Sequence, residues 1–297
     1  MDSGGGDQCV SARANFGNQD YEERDRMKKR AFCVGINDYP YDGSDLNGCV
    51  NDAKAWASLL LDHYDFAQGD VKLVTDVQAT KAAIIAGLKD LLAGSQAGDV
   101  LVFTNSSHGS YIADTSGDEE QYDEAMCPYD CATNLLVDDD LRELFANLPK
   151  DVKLAVISDS CFSGTVTRAA VGDAIPGLKT PDDRRVRFLS PALRGDPVLE
   201  NPWKARPKRN AKYPESKMKE VLLSGCTDRE YSYDAQIGGV YDGAMTYFAL
   251  QAIREANYAI TWQQLVSRVG FLTDDAGYPQ HPQLEGQKNN RKRQIFS

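Results

Sequence analysis

Five short, largely apolar runs separated by helical periodicities constrain this chain most. Ala31 to Ile36, Val71 to Val74, Asp99 to Thr104, Val152 to Ser158 and Glu220 to Ser224 read as buried strands. Between them, Leu46 to Tyr64 carries Val50, Ala53, Trp56, Ala57, Leu60 and Tyr64 at helical spacing. Thr80 is placed to cap a helix from Lys81 to Ala93. Further helices are expected over Asp139 to Asn147, Ala244 to Asn257 and Thr261 to Leu272. Strands alternating with helices imply an α/β domain, a mostly parallel sheet with helices on both faces. Such sheets bind ligands beyond the carboxyl ends of their strands.

Two of those strand ends carry reactive side chains. Cys161 follows the run from Leu154 and sits in Asp159-Ser-Cys-Phe-Ser-Gly164. His108 follows the run from Val100 and sits in Ser106-Ser-His-Gly-Ser110. A thiol and an imidazole at neighbouring strand ends make a nucleophile and base pair. Residues i and i+2 of an extended chain share a face, so Asp159 accompanies Cys161 and Ser106 accompanies His108. Gly109 and Gly164 allow tight turns and close approach of a substrate backbone. The backbone N–H groups of Gly109 and Cys161 are the expected oxyanion donors. Taken singly, each residue has a plainer reading, a small core cysteine or a hydrogen-bonded structural histidine. With only three histidines in the chain, the coincidence at equivalent strand ends favours the pair.

Length and composition narrow the class. At 297 residues, 42% of them hydrophobic, the chain suits one large domain or at most two small ones. Residues 1–29, polar and highly charged, read as a mobile arm ahead of a domain over 30–297. No apolar run is long enough to span a membrane, and the first residues lack the apolar core of a signal peptide. Seven cysteines, an odd number, suit free thiols in a reducing compartment, so a cytoplasmic protein is expected. A net charge of −11 argues against nucleic acid as a partner. The charge is uneven. Tyr111 to Glu143 holds eleven acidic residues and one basic, whereas Val166 to Lys219 holds thirteen Lys or Arg against six Asp or Glu.

The motifs, taken in order, resemble the metacaspases, caspase-like cysteine peptidases of bacteria, protists, fungi and plants. The resemblance rests on Gly35-Ile-Asn-Asp-Tyr39, Leu46-Asn-Gly-Cys-Val-Asn-Asp-Ala53, Ser106-Ser-His-Gly-Ser110, Tyr122-Asp-Glu-Ala-Met-Cys-Pro-Tyr-Asp130 and Val137-Asp-Asp-Asp140. It continues through Asp159-Ser-Cys-Phe-Ser-Gly-Thr165, Ser224-Gly-Cys-Thr-Asp-Arg-Glu-Tyr-Ser-Tyr-Asp-Ala235, Gly243-Ala-Met-Thr-Tyr247 and Pro282-Gln-Leu284. It implies a caspase-like fold, a His108–Cys161 dyad, cleavage after Arg or Lys, and a monomer acting on protein or peptide substrates. It also implies a primary pocket lined by Cys49, Asp52, Ser106 and Asp159. Two carboxylates in such a pocket welcome a guanidinium or ammonium and repel an acidic side chain. The plainer readings are a solvated helix residue for Asp52 and a turn cap for Asp159.

Many members of that family need calcium, bound by acidic residues after the histidine strand. Asp123, Asp138, Asp139 and Asp140 are the matching candidates, and calcium requires clustered oxygen ligands. Calcium-binding relatives often carry an Asp shortly after the cysteine motif, where this chain has Arg168. Phe162 is another departure, standing where many relatives have His. The basic segment 166–219 has two readings, a solvated linker or lid, or a stretch that the enzyme cuts in itself. Arg184, Arg185, Arg187, Lys204, Lys208, Arg209, Lys212 and Lys217 lie in proline-flanked chain that suits cleavage. A silent caspase-fold binding or scaffold module is the alternative to a working peptidase.

Overall fold

The computed structural model describes residues 27–113, 122–161, 184–196, 217–227 and 230–297. Its centre is a six-stranded sheet formed by β1 (Lys29–Gly35), β2 (Val71–Thr75), β3 (Val100–Ser106), β7 (Lys153–Asp159), β9 (Val221–Ser224) and β12 (Gln283–Glu285). The strand order is β12-β9-β7-β3-β1-β2. All pairings are parallel except that of β12 with β9 at the edge.

The apolar runs are continuous because the sheet is covered on both faces. Ala31, Cys33, Val100, Val102, Ala155 and Ile157 point to one core, with Trp56 and Leu60 of α1 (Cys49–His63). The helices α4 (Ala244–Glu255) and α5 (Trp262–Asp275) complete that layer. The alternate residues Phe32, Val34, Leu101, Phe103, Leu154 and Val156 meet α2 (Lys81–Leu92) and α3 (Asp138–Ala146) on the other face. As expected, Thr80 caps α2, its hydroxyl accepting from Ala83 N at 3.2 Å. Strand β1 starts at Lys29, so the end of the expected arm is already sheet, while residues 1–26 lie outside the described set.

Two small sheets beside the carboxyl ends were not anticipated. One has the order β4-β5-β6, from β4 (Gly109–Ala113), β5 (Tyr122–Met126) and β6 (Leu136–Val137). The other has the order β11-β10-β8, from β8 (Arg185–Val186), β10 (Tyr233–Ile237) and β11 (Val240–Gly243). Strands β10 and β11 are joined by Gly238 and Gly239 at φ 62° and 90°, the backbone that a two-residue hairpin turn demands. A short helix α6 (Lys288–Arg291) lies near the C-terminus. No helix among the described residues is long and apolar enough to cross a membrane.

Candidate active site

The parallel register sets the site. Ser106 and Asp159, the last residues of β3 and β7, are partners across the sheet, and Gly35 faces Ser106 from β1. The start of α1 is held beside them because Asn37 Oδ1 accepts from Cys49 N at 2.9 Å. That anchor brings Asp52, in the first turn of the helix, over the strand ends. Asp52 Oδ2 accepts from Ser106 Oγ at 2.5 Å, and its Oδ1 accepts from Gly243 N at 2.9 Å.

His108 leaves β3 with its backbone N–H donated to the Tyr39 hydroxyl at 2.9 Å. Its Nε2 lies 2.6 Å from the Ser44 carbonyl. A carbonyl only accepts, so Nε2 carries the proton and Nδ1 keeps the lone pair. Nδ1 is buried and has no hydrogen-bond partner among the described residues. Burial, the largest influence, lowers the His108 pKa to about 4, against an opposing pull from the Ser44 and Arg187 backbone groups.

Cys161 is fully buried at the end of β7, and its Sγ accepts from Ser232 N at 2.6 Å. The Cys226 thiol lies against it; that contact and then burial push the Cys226 pKa well up. The two loops touch at Gly109. A side chain there would strike the Cys161 carbonyl and lie 3.2 Å from its nitrogen, so only glycine lets the loops of His108 and Cys161 meet.

The chain itself fills the space between these groups. Arg187 is fully buried. Its Nη1 lies 2.8 Å from Asp52 Oδ2 and 3.5 Å from Asp159 Oδ2, and its Nη2 lies 3.1 Å from Asp234 Oδ1. Nη1 also donates to Ser106 Oγ at 2.5 Å and to the Asp159 carbonyl at 3.0 Å. Cys49 belongs to the same enclosure, where the charges of Arg187, Asp234 and Asp52 all act on its thiol. Thus Cys49, Asp52, Ser106 and Asp159 converge on one guanidinium. Three buried carboxylates facing a single cation leave negative charge in excess, and Asp52 is pushed up to about 7, chiefly by burial.

The backbone of Arg187 is equally engaged. Its carbonyl accepts from Gly109 N at 3.0 Å and from Cys161 N at 3.2 Å. Its N–H donates to the Ser232 carbonyl at 2.9 Å. Upstream, β8 adds to β10 as an antiparallel edge, with Val186 opposite Tyr233 and Arg185 opposite Asp234. Downstream, Phe188 stacks on Tyr111 with ring centres 6.0 Å apart, and Leu189 N donates to the Gly109 carbonyl at 2.9 Å. The segment from Arg184 to Leu189 therefore crosses both strand ends extended, as a bound peptide does in strand addition.

Asp234, Ser232 and Cys226 join the site without having been singled out in the sequence. Of the expected calcium ligands, Asp138 lies 3.1 Å from Arg142 and Asp140 lies 2.7 Å from Lys81. Among the described residues no three His, Cys, Asp or Glu side chains gather as a metal site would require. Phe162, Gly164, Arg168, Lys204, Lys208, Arg209 and Lys212 lie outside the described residues, while Lys217 begins the turn before β9. His63 stacks on Tyr258, and His281 pairs with Glu230.

Known proteins resemble this chain in sequence and in fold. The family model described as "Metacaspase, peptidase C14 domain" matches residues 29–170. Metacaspase-9 of Arabidopsis thaliana is 30% identical, with 89% of this chain and 95% of that protein covered. Metacaspase-1 of Cryptococcus neoformans is 32% identical over 86% of this chain, which spans 62% of that longer relative. Among solved structures, a Geobacter sulfurreducens protein aligns at a TM-score of 0.68 and 23% identity, covering 91% of this chain and 98% of that one. Caspase-1 of Spodoptera frugiperda aligns at 0.55 and 11% identity, covering 88% and 87%. Those two likenesses establish the caspase-like fold, and the sequence relatives establish the family: this chain is a metacaspase, a caspase-like cysteine peptidase.

Proposed function

We propose that the protein is an endopeptidase that cuts after Arg or Lys, with Cys161 as nucleophile and His108 as base. One observation carries this reading. A single residue, Arg187, presents its side chain to Asp52, Asp159 and Asp234 while its carbonyl faces the N–H groups of Gly109 and Cys161. The residue before a scissile bond must satisfy both demands at once.

In the proposed reaction, the Cys161 proton passes to Nδ1 of His108. The thiolate then attacks the carbonyl carbon of the bound basic residue. The Gly109 and Cys161 N–H groups hold the resulting oxyanion. His108 gives its proton to the departing amine as the C–N bond breaks, leaving a thioester. Water, deprotonated by His108, hydrolyses that thioester and restores the thiol. The Ser44 carbonyl keeps the proton on Nε2, so Nδ1 is the nitrogen that takes up and gives back the transferred proton.

The described form is then self-blocked, with the Arg187–Phe188 bond of the basic segment in the position of a substrate bond. Self-cleavage at that bond is part of the proposal, and it favours Arg187 over Arg184 and Arg185, whose side chains lie outside the carboxylate enclosure. The test is a set of peptide reporters ending in Arg, Lys or Asp, run on wild type, Cys161→Ala and His108→Ala. Turnover of the basic reporters only, with at least a thousandfold loss in both variants, is expected. Efficient cleavage of the Asp reporter would refute the specificity. No turnover of any reporter would favour a silent scaffold.

A further inference from the structure

Resting on the peptidase reading above, we propose a second cation subsite in the cleft, formed by the Tyr278 ring and the Gly277 carbonyl, that reads an Arg four positions before the scissile bond. The protein would thereby select polybasic peptides rather than any exposed Arg or Lys. The observation is the seating of Arg184, three residues before Arg187. Its guanidinium carbon stands 4.2 Å from the centre of the Tyr278 ring. Its Nη1 donates to the Gly277 carbonyl at 2.8 Å.

The surroundings are built for a cation. Gly277 and Tyr278 lie just beyond Ala276, the C-cap of α5, where the last carbonyls of a helix concentrate negative potential. The last two residues of that helix are Asp274 and Asp275. Gly277 takes a φ of 73° there, which aims the chain back so that Tyr278 can turn into the core. The ring is not free to move. It is 8% exposed and lies against Phe248 and Tyr233, with ring centres 5.9 and 6.2 Å away. A fixed aromatic face beside a carbonyl is preorganised for guanidinium, which can stack and donate at the same time.

Between the two subsites the chain stays in register. The pairing of Val186 with Tyr233 and of Arg185 with Asp234 holds the segment extended. Arg185 turns outward to the Asp45 carbonyl. The span from the primary pocket to Tyr278 is therefore fixed by strand geometry, not by the reach of a flexible side chain. That fixed spacing is what distinguishes a subsite from general attraction by a negatively charged protein.

The test uses three fluorogenic tetrapeptides, X-Arg-Val-Arg, with X as Arg, citrulline or Ala. Citrulline keeps the shape of Arg and removes its charge. The enzymes are wild type and Arg187→Ala, which lacks its own occupant of the primary pocket. The Arg peptide should exceed both others in kcat/KM by about five- to tenfold. In Tyr278→Leu the ratio of Arg to citrulline should fall towards one, and a ratio is insensitive to how much protein folds. Equal rates for all three peptides would overturn the subsite and leave the peptidase standing. A ratio unchanged in Tyr278→Leu would overturn the assignment to Tyr278. Failure of both enzymes to cut any of the three would overturn the peptidase reading and this inference with it.

Discussion

The backbone N–H of Cys161 donates to the carbonyl of Arg187 at 3.2 Å. The nucleophilic residue of the proposed mechanism thus binds a carbonyl belonging to its own chain, twenty-six positions downstream. Arg187 cannot hold that place and leave the pocket available to an outside substrate. Access to the cleft must begin with displacement or cutting of this segment.

Replacing Arg187 by Ala should open the cleft and leave Asp52, Asp159 and Asp234 facing each other without a cation. Stranding buried carboxylates is costly, so the variant should melt below wild type. A small guanidine such as agmatine should fill the vacancy and raise its melting temperature. At a hundred times its dissociation constant it would contribute about 2.7 kcal/mol. Wild type, already occupied, should not respond. Thermal scans of both proteins with and without agmatine make the comparison, and equal responses would contradict the pocket assignment.

The pocket carboxylate contributed by β10 should matter as much as those at the strand ends. Asp234 Oδ1 faces Arg187 Nη2 at 3.1 Å and also accepts from Gly48 N at 2.8 Å. Asp234→Asn keeps the shape and one acceptor oxygen while removing the charge. It should lower kcat/KM on Arg reporters by roughly ten- to a hundredfold. Its effect on a reporter with citrulline at that position should be small. Steady-state kinetics on the two reporters would show it, and an unchanged Arg rate would remove Asp234 from the pocket.

The pH dependence follows from His108. Its pKa is lowered to about 4, mainly by burial. A base with a lowered pKa stays neutral, and able to take a proton, down to that pH; its function is lost as pH falls through it. Self-cleavage within the closed cleft should therefore persist at pH 5, with its acid limb near 4. A single-turnover profile with the limb at the ordinary histidine value, about 6.5, would show that His108 is not buried when it acts.

The sheet and the first half of the site were legible because they depend on local pattern. Runs buried on both faces read as parallel strands, and Ser106, His108, Asp159 and Cys161 follow from where those runs end. Asp234 and Ser232 sit on and beside a short hairpin with no apolar run of its own, so nothing local placed them beside Cys161. Arg187 was visible as a cleavage candidate but not as the occupant of the pocket. A basic segment ordinarily reads as solvated, and an arginine becomes fully buried only where long-range contacts supply partners. Here α1, β7 and β10 each supply one carboxylate, from three separate parts of the chain. The alternation of Arg185, Val186, Arg187 and Phe188 is a local hint of an extended strand, though Lys204-Ala-Arg-Pro-Lys208 alternates in the same way.

The account as a whole turns on whether the seated bond is a substrate bond. Intact-mass measurement of freshly folded wild type and Cys161→Ala, followed over time, tests this most directly. Wild type should yield a fragment ending at Arg187 and one beginning at Phe188, while Cys161→Ala stays whole. A wild-type protein that turns over Arg reporters while its 187–188 bond remains uncut would contradict the claim that this segment lies in the cleft as a substrate.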